Sequence, residues 1–263
     1  MRIAVCVKQV PDSGTVSLDP ETHTLVRASV GVALNPLDEF PLEIAMRLKD
    51  ATGAEVVAFT MGPPRAEETL ARAIAMGADK AVLLSDAKFA GGDTWATSLT
   101  LAAAIRKYGP FDIVLFGKQA IDGDTAQVGP ETATHLGWAQ AACVCEVATP
   151  RSKEPEALRV KRLFESFIDE SEIQLPCVLS VIKEAGEPRF GSLEGRLRYF
   201  QGGVEKCNAA DLGLKPESIG LKGSPTRVVK TSVPSSARKL RHLEGSTESK
   251  AVELAGILRA KLK

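Results

Sequence analysis

The 263-residue sequence has no excess of either charge: 33 Lys and Arg stand against 33 Asp and Glu. A dedicated nucleic-acid binder normally carries a basic surplus over a whole domain, so the balance argues against that class. Long hydrophobic runs are also missing. A bilayer span needs about 20 mostly apolar residues, whereas the longest uncharged stretch, 132–145, is shorter and is interrupted by His, Gly and Gln. No membrane span is expected. The apolar run Ile3-Ala4-Val5-Cys6-Val7 stops at Lys8 and is too short for the core of a signal peptide. It reads as the first strand of a cytoplasmic protein. Histidine is scarce, at three residues, and the five cysteines (Cys6, Cys143, Cys145, Cys177, Cys207) contain no C-x-x-C pair. Neither a disulfide framework nor a zinc site has this spacing. Cys6 and Cys177 fall inside apolar segments and read as buried reduced thiols without a chemical role.

What the chain does have is an ordinary globular composition, 44% hydrophobic and 25% charged, and the length to bury a core without disulfides or metals. Short apolar runs at 3–7, 56–60, 81–85 and 112–117 read as strands buried on both faces. Helical spacing follows each of them, over 38–50, 67–76, 94–108 and 128–137. Four β-then-α units predict an α/β fold with a doubly wound, mainly parallel sheet. Residues 16–26 resemble a small surface hairpin. Beyond Pro150 the pattern returns to strands, over 158–164, 172–175 and 177–182. From 218 to 243 there are six Lys or Arg, no Asp or Glu, and several turn formers. That segment reads as an extended arm leading to an amphipathic helix over 247–263. The expected division is a nucleotide-binding α/β domain over 1–200 and a C-terminal arm and helix over 201–263.

In doubly wound sheets ligands sit outside the carboxyl ends of the strands, where strand order reverses. Two loops there precede helices and are rich in Gly and small polar residues. In Gly117-Lys118-Gln119-Ala120-Ile121-Asp122-Gly123-Asp124-Thr125-Ala126-Gln127-Val128-Gly129, small residues would let backbone N–H groups approach a pyrophosphate, and a carboxylate could take a ribose hydroxyl. A plain Gly/Asp-rich turn with an ordinary helix cap explains the same residues, and the loop is neither G-x-G-x-x-G nor a Walker loop. In Gly92-Asp93-Thr94-Trp95-Ala96-Thr97, Thr94 and Thr97 share a helix face, and Asp93 or Thr94 could equally be a simple N-cap. Asp122 and Asp124 lack further ligands for a metal. No G-x-S-x-G is present, and His135 reads as a packing residue. The residues alone stop at a nucleotide-binding α/β protein with no evident catalytic group.

Taken together, Val5-Cys6-Val7-Lys8-Gln9-Val10-Pro11-Asp12, Asn35-Pro36-Leu37-Asp38-Glu39, Thr60-Met61-Gly62-Pro63, Ala75-Met76-Gly77-Ala78-Asp79 and the 117–129 loop resemble, in order, the β subunit of electron-transfer flavoproteins. That resemblance implies an adenine-nucleotide α-hydrolase-like fold and a heterodimer with an electron-transfer flavoprotein α subunit that carries FAD. In simple carriers the β subunit holds a structural AMP. In the electron-bifurcating branch it holds a second FAD, which takes hydride from NADH. One electron then goes to the α-bound FAD and an acyl-CoA dehydrogenase, the other to ferredoxin or flavodoxin. The wording around residues 92–97 and 122–130 is similar to the second branch, since simple carriers have bulkier polar residues where Gly123 and Ala126 stand. By resemblance, Cys6, Val7 and Pro11 lie beside the cofactor, Asn35 near the adenosine, and Met61 and Gly62 at the second crossover. Asp93, Thr94 and Thr97 meet the flavin or its ribityl chain. Asp122, Gly123, Asp124, Thr125, Ala126, Gln127, Val128 and Gly129 hold phosphates and ribose. Leu193 corresponds to an anchor that docks into the dehydrogenase. A stress-type nucleotide-binding module or an adenylate-transferring enzyme on the same fold remains an alternative.

Overall fold

The computed structural model describes residues 1–12, 31–150, 152, 155–229 and 240–261. The hairpin expected over 16–26 lies outside the described residues, as do the middle of the basic arm and Leu262. Two compact units are formed, Met1–Arg227 and Val228–Lys263.

The first unit opens with β1 (Arg2–Cys6), whose apolar run is buried on both faces. A separate antiparallel pair, β2 (Gln9–Pro11) with β3 (Val32–Leu34), follows. Helix α1 (Glu39–Thr52) buries Leu42, Ala45 and Leu48 and stops at Gly53, which is left-handed at φ 75°. Glycine takes that conformation at no steric cost, which is why the helix ends there. Then come β4 (Glu55–Met61), α2 (Glu67–Met76), β5 (Lys80–Leu84), α3 (Thr94–Tyr108), β6 (Ile113–Gly117) and α4 (Val128–Leu136). These complete the four expected β-then-α units. After them lie β7 (Ala139–Val147), β8 (Ala157–Leu163), β9 (Ile168–Gln174), β10 (Cys177–Val181), α5 (Leu193–Phe200), β11 (Val204–Cys207) and the short α6 (Gly220–Gly223).

Among the described residues, nine strands form one sheet in the order β11-β5-β4-β1-β6-β10-β7-β8-β9. Every pairing from β11 to β7 is parallel, and β8 and β9 add on antiparallel. Strand alternation divides the core into two layers. Ile3, Val5, Val56 and Ala58 pack with Leu42, Leu70 and Ile74 of α1 and α2. Ala4, Cys6, Val57 and Phe59 pack with Leu101, Ile105 and Ala133 of α3 and α4. Helices thus cover both faces, as the doubly wound reading expects. The crossover from β1 runs to β4 on one side, and that from β5 returns across to β6 on the other, so the switch point falls between β1 and β6.

Several elements escaped the sequence reading. Strand β7 buries only Ala141 and Val144, and Cys143 at φ 60° accompanies a register shift against β10, so neither a clean alternation nor an apolar run marks it. Strand β11 is four residues long with only Cys207 buried. The β2–β3 pair is too short to have a pattern. Leu193, expected on a loop, is instead the first residue of α5, capped by the Ser192 hydroxyl accepting from Gly195 N–H at 3.0 Å. Residues 218–227 likewise differ from the expected free arm, because Ile219 is buried in the α3/α4 layer and the compact unit continues to Arg227.

The second unit contains α7 (Thr247–Lys261), with Arg241 paired to Glu253. Leu254 and Leu258, four residues apart, share a face with Ala251, while Val252 stands off it.

Candidate functional site

A cavity of about 380 Å³ opens at the carboxyl ends of β1, β4 and β6, at the switch point. That volume lies within the range of roughly 300–1,000 Å³ usual for small-molecule and cofactor sites. Cys6, Val7 and Lys8 form one side and residues 116–120 the other; Met61 and Phe89 close the apolar back. The two helix-opening loops expected from sequence meet across it. Gly91 to Thr94 and Thr97 face Gly123 to Gly129.

The floor is polar and built. Asn35, 1% exposed, donates from Nδ2 to the Gln119 carbonyl at 3.0 Å and accepts from Ile121 N–H at 3.3 Å, so its amide holds the second loop. Asp38 lies beside it, buried, with Oδ2 accepting from Lys8 N–H at 2.7 Å. Burial pushes the Asp38 carboxyl up to about 7, against the opposing pull of the Lys8 and Gly117 N–H groups, the Asn35 amide and the Lys8 charge. Gly117 has no room for a side chain: a Cβ there would stand 2.2 Å from Asp38 Oδ1 and 2.7 Å from the Leu37 carbonyl oxygen. Burial, helped by the Asp38 charge, raises the Cys6 thiol far above its ordinary value. Cys6 is therefore a protonated lining group and not a nucleophile.

Across the mouth, Lys8 Nζ reaches Asp122 at 2.6 Å. In the loop beyond, Asp124 N–H donates to the Ala120 carbonyl at 2.9 Å, and Gln119 donates to the Asp124 carboxylate. Asp124 and Ala126 are both left-handed, at φ 56°. Non-glycine residues in that region carry strain of about 1–2 kcal/mol each, and left-handed residues in a Gly-rich loop are the backbone pattern of anion-binding nests. In the first turn of α4, Pro130 has no N–H and the Glu131 N–H donates to the Gln127 carbonyl at 2.9 Å, so the N–H groups a helix start leaves without an intrahelical partner belong to Val128 and Gly129, both in the lining. Glu131 joins the two helix starts, accepting from the Thr94 hydroxyl at 3.1 Å and the Ser98 hydroxyl at 3.3 Å.

Fourteen of the seventeen residues expected at a cofactor line this one cavity: Cys6, Val7, Asn35, Met61, Asp93, Thr94, Thr97, Gly123, Asp124, Thr125, Ala126, Gln127, Val128 and Gly129. Three do not. Pro11 is exposed on β2, Gly62 packs its backbone toward Ala66, and Asp122 is engaged by Lys8 outside the lining. The Asp93 carboxylate is also occupied, as the N-cap of α3, by Ala96 N–H at 3.1 Å. Lys8, Asp38, Phe89 and Phe116 were missed. Lys8 and Asp38 stood inside noted motifs, but nothing in their spacing announced a buried carboxylate bridging two strand ends. Leu193 lies away from the lining and is 74% exposed on α5, in company with Phe190, Leu197 and Phe200. Among the described residues, no group of three or more His, Cys, Asp or Glu could hold a metal, and no helix is long and apolar enough to cross a membrane.

Fold and cavity together define a doubly wound α/β protein with a switch-point crevice that has a polar floor and an apolar back. The model of the electron transfer flavoprotein domain matches residues 22–212. The chain is 45% identical over its full length to the caffeyl-CoA reductase-Etf complex subunit CarD of Acetobacterium woodii, covering 98% of that protein. It is 46% identical to the electron transfer flavoprotein subunit beta of Clostridium acetobutylicum, over 88% of each chain. To the protein FixA of Bradyrhizobium diazoefficiens it is 41% identical, over 97% of this chain and 90% of that one. The chain belongs to the electron transfer flavoprotein family, on the β-subunit side, and its work is electron transfer.

Proposed function

We propose that this chain is the β subunit of a heterodimeric, electron-bifurcating flavoprotein and holds FAD in the switch-point cavity. The observation that carries the reading is the meeting of the 123–126 loop, with its left-handed Asp124 and Ala126, and the α4 start with the ends of β1 and β6 around one cavity. It does so in a chain alignable end to end with a subunit of a CoA reductase-Etf complex. The donor set fits such a group: small residues at Gly123 and Ala126 leave space, N–H groups face the anion, and Cys6, Met61 and Phe89 offer an apolar wall. When bound, the flavin supplies hydride acceptance from NADH and one-electron transfer toward the α-subunit FAD and an acyl-CoA dehydrogenase, and toward ferredoxin or flavodoxin. The chain's own part is binding and electrostatics. Asn35 and Lys8 fix the loop, Glu131 aligns Thr94 with α4, and Asp38 braces the floor.

The exposed apolar ridge of Phe190, Leu193, Leu197 and Phe200 supports docking of the dehydrogenase, since a concentrated apolar anchor is how a transient interface gains its energy. Residues 201–263, with the exposed leucines of α7, are proposed to clasp the α subunit. Five free cysteines suit a reducing cytoplasm. The test is to co-purify the chain with its α subunit, denature the complex and count FAD and AMP per heterodimer. Two FAD and no AMP are expected. One FAD with one AMP would reduce the chain to the scaffold of a single-flavin carrier.

A further inference from the structure

The cavity wall formed by Gly91, Gly92 and Asp93 has an outer side, and residues 220–226 are fastened to it. Leu221 N–H donates to the Ala90 carbonyl at 3.1 Å. A Cβ on Gly92 would lie 3.4 Å from Gly220 Cα, and one on Gly220 only 2.0 Å from the Lys88 carbonyl oxygen. Gly220, left-handed at φ 55°, therefore admits no side chain against the Lys88 carbonyl, whereas a methyl at Gly92 would only make ordinary contact with Gly220. Ile219, 1% exposed, pins the near end of the segment in the core.

Asp93 makes the fastening specific. While Oδ1 caps α3, Oδ2 accepts from the Thr226 N–H at 3.0 Å and the Thr226 hydroxyl at 2.8 Å. Its own N–H donates to Ser224 Oγ at 2.8 Å, and that hydroxyl donates to the Gly220 carbonyl at 2.8 Å. Burial works to raise the Asp93 carboxyl, but the bonds from Ala96 and Thr226 outweigh it and hold the group below the usual carboxylate range. One carboxylate thus fixes the first turn of α3, which faces the cavity through Thr94 and Thr97, and the segment behind it.

We infer that Asp93 is a positioning residue of the nucleotide site and that residues 220–226 are its outer wall, so that nucleotide affinity and the hold on this segment rise and fall together. This rests on the reading that the cavity binds an adenine nucleotide. The inference assigns a role in binding to a stretch that bears no motif, lying within a few residues of the second unit's start at Val228.

The test uses the heterodimer stripped of nucleotide and titrated with FAD and, separately, AMP, in wild type, Asp93→Asn, Thr226→Val and the double variant. Asparagine caps a helix as well as aspartate does, yet presents an amide N–H₂ where Thr226 needs an acceptor. The expected result is weaker binding of the preferred nucleotide in Asp93→Asn, by about tenfold, the scale of one charge-assisted hydrogen bond. Thr226→Val, which leaves the cap intact should Asp93→Asn fail to fold, should weaken it less, and the double variant should be no weaker than Asp93→Asn alone. Saturating nucleotide should slow amide exchange over 221–226 in wild type and not in Asp93→Asn. Simple removal of a negative charge beside an anionic ligand predicts the opposite sign, tighter binding. Wild-type or tighter affinity in the variants overturns the inference while leaving the nucleotide reading in place. Failure of the wild type to bind either nucleotide overturns both.

Discussion

Replacing Gly117 by alanine probes the floor of the cavity most directly. The added methyl would meet Asp38 Oδ1 at 2.2 Å, the Leu37 carbonyl oxygen at 2.7 Å and the Leu37 carbonyl carbon at 2.9 Å, where ordinary contact begins near 3.4 Å. Side-chain rotation can move the carboxylate but not the main chain at the head of α1. Overpacking of this kind costs about 1–3 kcal/mol. Displacing Asp38 from the Lys8 N–H, which it now meets at 2.7 Å, leaves a buried group under-satisfied at a further cost of about 1–3 kcal/mol. With about 4 kcal/mol as the central value and about 2–4 °C of Tm per kcal/mol for a domain of this size, the melting temperature should fall by about 8–16 °C. Circular dichroism melts read the shift, and flavin titration reads the loss of the site. In the Gly117→Ala/Asp38→Ala pair, the clash with Oδ1 should be relieved, while the clash with Leu37 and the cost of leaving the Lys8 N–H without its acceptor should remain. A Gly117→Ala chain that melts within about 2 °C of wild type and binds nucleotide normally would refute a floor this tightly built.

The left-handed Ala126 gives a prediction of the opposite sign: Ala126→Gly removes strain of about 1–2 kcal/mol but adds about 0.5–1 kcal/mol of chain entropy, so denaturant melts should show stability unchanged or raised by up to about 1.5 kcal/mol, whereas Ala126→Val should lower it. Asp38 governs a pH effect. Because its carboxyl is raised to about 7 by burial, the folded chain binds that proton more tightly than the unfolded one, and its contribution to stability is full at low pH and lost as pH rises through 7. Three pH units cap the effect at about 4 kcal/mol, and Asp38→Asn should flatten the stability curve over that window. The carboxyl of Glu43, held low because bonds from Arg189 and Arg47 outweigh its burial, and that of Glu55, held low chiefly by Lys80 and Arg2, act with the other sign and only below the ordinary carboxylate range. Leu193→Ala should weaken reduction of the dehydrogenase partner by roughly tenfold while flavin stays bound; loss of flavin instead would remove Leu193 from docking. A chain truncated after Arg227, which keeps Ser224 and Thr226 on Asp93, should lose heterodimer stability on size-exclusion chromatography, and an undiminished complex would contradict the clasp.

Much of this was legible in the residues, and the reason is physical. Strands β1, β4, β5 and β6 are buried on both faces, so each appears as an unbroken apolar run, and the helices between them carry one-sided spacing that ends in glycine or in a turn. The two helix-opening loops were legible because glycines and small polar residues gathered directly between a strand and a helix stand out from both periodic patterns. What stayed hidden depends on partners distant in sequence. Asp38 becomes a brace only because Lys8 and Gly117 arrive beside it, and residues 220–226 become a wall only because Asp93 faces them. Strands β7 and β11 bury too few residues to leave a pattern. Ridge residues such as Leu197 and Phe200 look like ordinary core apolars until α5 turns them outward, held close to α2 where Gly195 would carry a Cβ 2.6 Å from the Ile74 carbonyl oxygen.

The two margins of the nine-stranded sheet are finished differently. At one, β11 offers four residues, two of them the charged Glu205 and Lys206. At the other, β9 runs for seven but sets Asp169, Glu170 and Glu172 along its length. Short or acid-lined borders discourage the edge-to-edge recruitment that leads to fibres and swapped strands. Such a sheet gives a newly made copy, waiting for its other half, little main-chain ladder on which to aggregate. It also leaves subunit recognition to side chains, where a sequence can be selective.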